Sequence, residues 1–166
     1  MSSQTYATKR AALKTVLAQV EQDGNFGPEQ PLPEAFADTG ELLATAQQRW
    51  HSHLGARIDA ALETGEAPST AVGGAYRETI RSMPEIRRLL DSYAGHPSLA
   101  RAEERELSLL AWAAGLTPRT TPARRAAALG REFRDAVSVG VSPHRSPAVT
   151  VSSRSWLRRL KDAIAA

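Results

Sequence analysis

Apolar residues recur along most of this chain at the spacing of an α-helix, and the longest such run covers residues 43–61. Leu43, Ala46, Trp50, Leu54, Ile58 and Ala61 stand three or four residues apart. A helix gathers residues with that spacing onto one side, whereas a strand would scatter them over both faces. Asp38 or Thr39 can cap this helix, and Glu41 places a carboxylate beside the free N–H groups of its first turn. Gly65 stops it.

The same period repeats on either side. Tyr6, Leu13, Val16, Leu17 and Val20 form a stripe in a helix from about Ser3 to Gln22, closed by Asp23 and Gly24. The segment GNFGPEQPLP then reads as a loop, with Phe26 and Leu32 able to plug back onto the body. A third helix starts near Pro68, turns Val72, Tyr76 and Ile80 inward, and meets Pro84. A short helix with Ile86, Leu89, Leu90 and Tyr93 runs on to Gly95. Ser98 can cap a fifth, with Leu99, Leu107, Leu110 and Ala113 inward and Gly115 at its end. Thr121 and Pro122 are a suitable cap and first residue for a basic helix whose apolar face is Ala126, Leu129, Phe133 and Val137. Val139, Val141, Val149 and Val151 alternate around SPHRSP, a pattern that reads as an extended linker, with a loose β-hairpin as the other reading. SSRSWLRRLKDAIAA closes the chain as an amphipathic helix.

These elements predict an all-α protein: an antiparallel helical bundle of four to five helices with a basic C-terminal helical extension. Residues 1–32 supply an N-terminal helix and Gly/Pro loop packing on the body, 33–118 the bundle itself, and 119–137 a basic helix standing beside it as a satellite. Residues 138–151 form the linker and 152–166 the C-terminal helix. With 166 residues, such a chain buries roughly 70% of its unfolded surface and needs no covalent staple. Aromatics make up only 5% of it, so Trp50, Trp112, Tyr76 and Tyr93 are the expected bulky anchors of an alanine-padded core.

Several chemistries are excluded or unsupported. There is no cysteine, hence no disulfide, thiolate metal site or cysteine nucleophile. His51 and His53 would lie about 200° apart around a helix, too far to share an ion. Neither H-E-x-x-H nor the Glu-x-x-His pattern of di-iron bundles is present. The Walker pattern, G-x-G-x-x-G and G-x-S-x-G are missing as well, and Gly73-Gly74 reads as a point of close helix packing. Glu103, Glu104 and Glu106 alternate with Arg101 and Arg105, as expected of a solvated face laced by pairs one turn apart. No cofactor or metal ligand is assigned, and a non-enzymatic protein is expected. The N-terminus lacks the apolar run of a secretory signal, and no stretch approaches the ~18 apolar residues of a membrane span, so a cytoplasmic location is expected.

Two segments carry resemblances. LLAWAAGLTPRTTPARRAAAL is similar to a helix-turn-helix in its Ala111, Gly115, Leu116, Thr117 spacing. It departs from that motif at Pro122, inside the would-be recognition helix, and at Thr121, where an aliphatic residue normally packs. A glycine-stopped helix followed by a proline-started one describes it more simply. From Phe36 to Leu116, FADTGELLATAQQRWHSHLGARIDAALETG and AYRETIRSMPEIRRLLDSYAGHP resemble the helical regulatory domain of TetR-type repressors. The resemblance implies a helical body that dimerises or holds an apolar ligand. Only about a dozen residues precede Phe36 after the first helix, too few for that family's DNA-reading unit, so no DNA-contacting residue is carried over. The alanine-rich, arginine-over-lysine composition otherwise looks like that of an actinobacterial-type helical protein.

Charge is divided unevenly. Residues 1–32 are neutral, 33–118 hold eight arginines against twelve acids for a net of −4, and 119–166 reach +7. A basic end on an acidic body points to an anionic partner. The leading expectation is a binding protein whose basic end contacts an acidic protein surface, a second copy of the chain included. A nucleic-acid-associated or regulatory role is the alternative. Either would use Arg119, Arg124, Arg125, Arg131 and Arg134. Trp156, Leu157, Arg158, Arg159, Leu160, Lys161 and Ile164 are candidates for docking on a partner or lying on an anionic membrane surface.

Overall fold

Where a carboxylate or a proline can open a helix and a glycine can close it, the chain does so. The computed structural model describes residues 3–27 and 29–139, and all regular structure among them is helical. In order these are α1 (Ser3–Asp23), α2 (Thr39–Leu62), α3 (Pro68–Ser82), α4 (Pro84–Ser92), a single 3-10 turn (Pro97–Leu99), α5 (Ala100–Ala113) and α6 (Ala123–Ser138). Asp38 caps α2, its Oδ1 accepting from the Glu41 backbone N–H at 2.8 Å. Pro68 and Pro84 open α3 and α4. Gly65 and Gly115, at φ 79° and 71°, turn the chain after α2 and α5 in a conformation that a side chain resists. The expected linker beyond Val139 and the expected C-terminal helix at 152–166 lie outside the described residues.

Two predicted caps are corrected. Ser98 does not cap α5 but sits inside the 3-10 turn, where its backbone N–H donates to the His96 ring at Nδ1, 3.3 Å away. Thr121 does not cap α6. Its hydroxyl is bonded to that of Thr117 at 2.6 Å, and the helix begins after Pro122 with no side-chain cap. Tyr6, placed on the inward stripe, is 64% exposed. Among the residues of α1 whose burial is described, Lys9 is the first that is partly buried, three positions after Tyr6.

One core joins all six helices. From α1 come Leu13, Val16 and Val20, and from α2 Leu42, Leu43, Ala46, Trp50, Leu54 and Ile58. Phe26, Phe36 and the partly buried Leu32 pin the intervening loop onto it. Val72 and Tyr76 of α3, Ile86, Leu89 and Leu90 of α4, and Leu110 of α5 complete the interior. At its centre Trp50 and Tyr76 meet edge to face, with centroids 6.0 Å apart and planes at 86°. The Arg87 guanidinium lies 5.3 Å from the Trp50 ring centroid, within cation–π range. Burial pushes the Tyr76 hydroxyl up to about 12. Burial alone would lower the Arg87 pKa. Tyr76, Asp91 and Glu106 outweigh it, so the guanidinium is held above its ordinary value and stays charged.

The basic helix α6 is packed as a core element rather than as a satellite. Phe133 is 2% exposed and lies in the common core, with Val137 packed beside it. Glu103 pairs with Arg134, Leu107 abuts Gly130, and Ser108 reaches Ala123, so α5 and α6 run antiparallel. Gly130 is what lets the two backbones touch. A methyl built there would overlap the Leu107 carbonyl oxygen and stand 2.6 Å from its carbonyl carbon. Gly73 of α3 is crowded by side chains of α6 rather than by its backbone: a methyl there would be 3.1 Å from Val137 and 3.7 Å from Phe133. Gly74, its neighbour, faces open space.

α1 is tied to α2 by an ion pair between Lys9 and Glu41. The hydrogen bond from Lys9, with a second from the Ala37 N–H, holds the Glu41 carboxyl below its ordinary value of 4.5. A carboxyl whose pKa is lower folded than unfolded adds stability above the unfolded value and loses it as pH falls through the folded one. Acidification below about 4.5 is therefore expected to loosen α1 in the native chain more than in Glu41→Gln. Amide hydrogen exchange of residues 9–20 against pH reads the difference. Equal pH profiles in the two proteins would remove the tether from this account.

Candidate binding groove and its cationic surround

Helix α5 presents two faces with different destinations. Leu107, Leu110, Ala111 and Ala114 point into the bundle. Arg101, Arg105, Ser108 and Trp112, spaced four, three and four residues apart, fall on another line of the same helix. That line forms one wall of a groove of about 510 Å³, completed by His51 of α2, Ala123 at the start of α6, and Glu104 and Leu109 of α5. The Ser108 hydroxyl lies 2.8 Å from both the Glu104 and the Ala123 carbonyl oxygens, fixing the start of α6 against α5. The Trp112 indole N–H is buried with no acceptor among the described residues. Trp112, expected among the core anchors, instead lines this groove and is only partly buried.

Glu103 and Glu106, close to these arginines in sequence, do not pair with them. Glu103 accepts from Arg134 of α6 at 3.1 Å, and Glu106 accepts from Gln47 of α2 at 2.8 Å. Glu106 is 2% exposed, which corrects its placement on a solvated face. A carboxylate in such a position needs a donor, and Gln47, itself buried, supplies one. Arg101 and Arg105 are exposed and have no carboxylate within ion-pair distance among the described residues.

The structure divides the five candidate arginines of the basic region. Arg119, Arg124, Arg125 and Arg131 are exposed and unpaired among the described residues. Arg134 belongs to the body: it is bonded to Glu103, and Asp135 is 3.7 Å away. Burial would lower the Arg134 pKa, but the Glu103 hydrogen bond and neighbouring charges raise it on balance. Arg119, Arg124 and Arg125 gather at the end of α6 that adjoins the groove through Ala123, whereas Glu132 and Asp135 stand exposed near the other end. The second candidate cluster, Trp156 to Ile164, lies outside the described residues.

Among the described residues, no group of three or more histidine and carboxylate side chains is placed to hold a metal ion. No helix there is long and apolar enough to cross a membrane. The fold is an all-α helical bundle. Comparison of the chain with protein-family models, curated proteins and solved structures finds no match.

The groove was not legible as a site in the sequence. The signal available was the second line on α5, Arg101, Arg105, Ser108 and Trp112, which carries a tryptophan on a face otherwise written in charged and polar residues. An indole on the polar face of an amphipathic helix is the cue that such a face is covered or used.

Proposed function

We propose that this chain is a cytoplasmic, non-enzymatic binding protein that engages an acidic protein surface through the cationic end of α6. One observation carries the reading. Arg119, Arg124 and Arg125 are exposed together at one end of α6, and none of them has a carboxylate within ion-pair distance among the described residues. Such a patch accelerates encounter with an oppositely charged surface and sets orientation more than raw affinity. The exposed Glu132 and Asp135 near the other end of α6 favour a protein partner over nucleic acid, because they cut short the cationic line that a phosphate backbone would follow. A second copy of the chain, presenting its acidic 33–118 surface, is one such protein partner.

The reading is tested with a fluorescein-labelled poly-glutamate peptide and the full-length protein. Fluorescence polarisation should show salt-sensitive binding, weakened about tenfold by Arg124→Glu with Arg125→Glu. An oligonucleotide or anionic vesicle that binds more tightly than the peptide, or a double variant that binds as the native chain does, would sink it.

A further inference from the structure

We infer that the groove between α2, α5 and the start of α6 is a recognition pocket for a bulky apolar side chain flanked by carboxylates, carried by an acidic peptide segment. The inference rests on the acidic-partner reading above and assigns the point at which the partner is anchored.

Size and lining come first. At about 510 Å³ the groove falls in the range of ligand sites and exceeds what one large side chain occupies. Trp112 and Leu109 supply its apolar surface. Tryptophan walls are typical of the points where interfaces concentrate their binding energy. The Trp112 indole N–H is buried and has no acceptor among the described residues.

Charge then selects the occupant. Arg101 and Arg105 stand one helical turn apart at the groove, with no carboxylate within ion-pair distance among the described residues, while Glu103 and Glu106 beside them are bonded to Arg134 and Gln47. Two unpaired guanidiniums beside an apolar recess match a hydrophobic residue with carboxylates next to it. Glu104 also lines the groove. Its carboxylate accepts from a peptide N–H and repels a continuous polyanion, which separates an acidic peptide from a nucleic acid.

The test compares two labelled peptides of equal charge by fluorescence polarisation: one built of glutamate alone, the other carrying a central phenylalanine. The phenylalanine peptide should bind the full-length protein about tenfold more tightly, as expected for burial of part of an aromatic side chain. Ala123→Leu obstructs the groove from an exposed position, and Arg105→Glu reverses a groove cation, also exposed, so both variants should fold. Each should abolish the preference, bringing the two peptides to within about twofold of each other. Arg124→Glu, outside the groove lining, should weaken both peptides alike and leave their ratio unchanged. Equal affinities for the native chain, or a preference that survives both Ala123→Leu and Arg105→Glu, would overturn the pocket. If the peptides bind equally but still depend on Arg124, the pocket falls and the acidic-partner reading stands. If neither binds, both fall.

Discussion

Gly130→Ala should unfold or grossly loosen the protein, although alanine is the better helix former. In an exposed helix interior this substitution gains about 1 kcal/mol from propensity. Here the added methyl collides with the backbone of Leu107, not with a side chain that can swing aside. Overpacking against yielding side chains already costs about 1–3 kcal/mol, and relief at Gly130 requires α5 and α6 to separate along their contact. The loss should therefore exceed about 3 kcal/mol, a large part of the 5–15 kcal/mol that typically holds a domain together. Urea denaturation followed by circular dichroism measures it. Gly55→Ala in α2 is the internal comparison: a methyl there meets nothing within 4 Å, and a gain of up to about 1 kcal/mol is expected. A Gly130→Ala protein as stable as the native one would mean that the two helices do not touch as described.

Trp50→Ala should be the most damaging change in the interior. Trp50 is fully buried, packs edge to face on Tyr76, and lies against the Arg87 guanidinium. Removing a buried indole costs about 3–5 kcal/mol through lost transfer energy and the cavity left behind. The edge-to-face contact adds about 0.5–1.5 kcal/mol beyond burial. Arg87 would also lose the ring beside it while remaining charged in a largely closed site, its side chain 18% exposed. Trp50→Phe keeps an aromatic face and should recover about half of the loss. Equilibrium unfolding of the three proteins, read by far-ultraviolet circular dichroism, checks the order native, Phe, Ala. Equal midpoints for the Phe and Ala variants would show that the aromatic face contributes nothing beyond volume.

The helices and most of the core could be read from spacing alone, because burial in a bundle follows the 3.6-residue period. The stripe from Leu43 to Ile58 is buried as expected, as are Leu13, Val16, Val20, Val72, Tyr76 and Phe133. Hydrogen bonds that cross between elements were not legible. The Ser98 and Thr121 caps failed because His96 and Thr117, near in space and chemically competent, took the local partners first. Glu106 looked like one more acid on a charged face until Gln47, 59 residues away, proved to bond it. The groove was hidden for the same reason. Its lining comes from α2, α5 and α6, so no single helix displays it. The cationic end was legible in outline, since charge is a property of composition. That Arg134 differs from its four companions depends on Glu103, 31 residues earlier.

Arg87 has a consequence for how the molecule comes apart. Its charge lies over the Trp50 ring on α2 and is hydrogen-bonded to Asp91 on its own helix, with Tyr76 on α3 and Glu106 on α5 within electrostatic reach. If any one of those helices peels away alone, the guanidinium loses compensation before it gains full hydration. Partial detachment is thus penalised at a single point shared by four elements, and α2 to α5 should melt as one all-or-none unit, with no stable three-helix remnant.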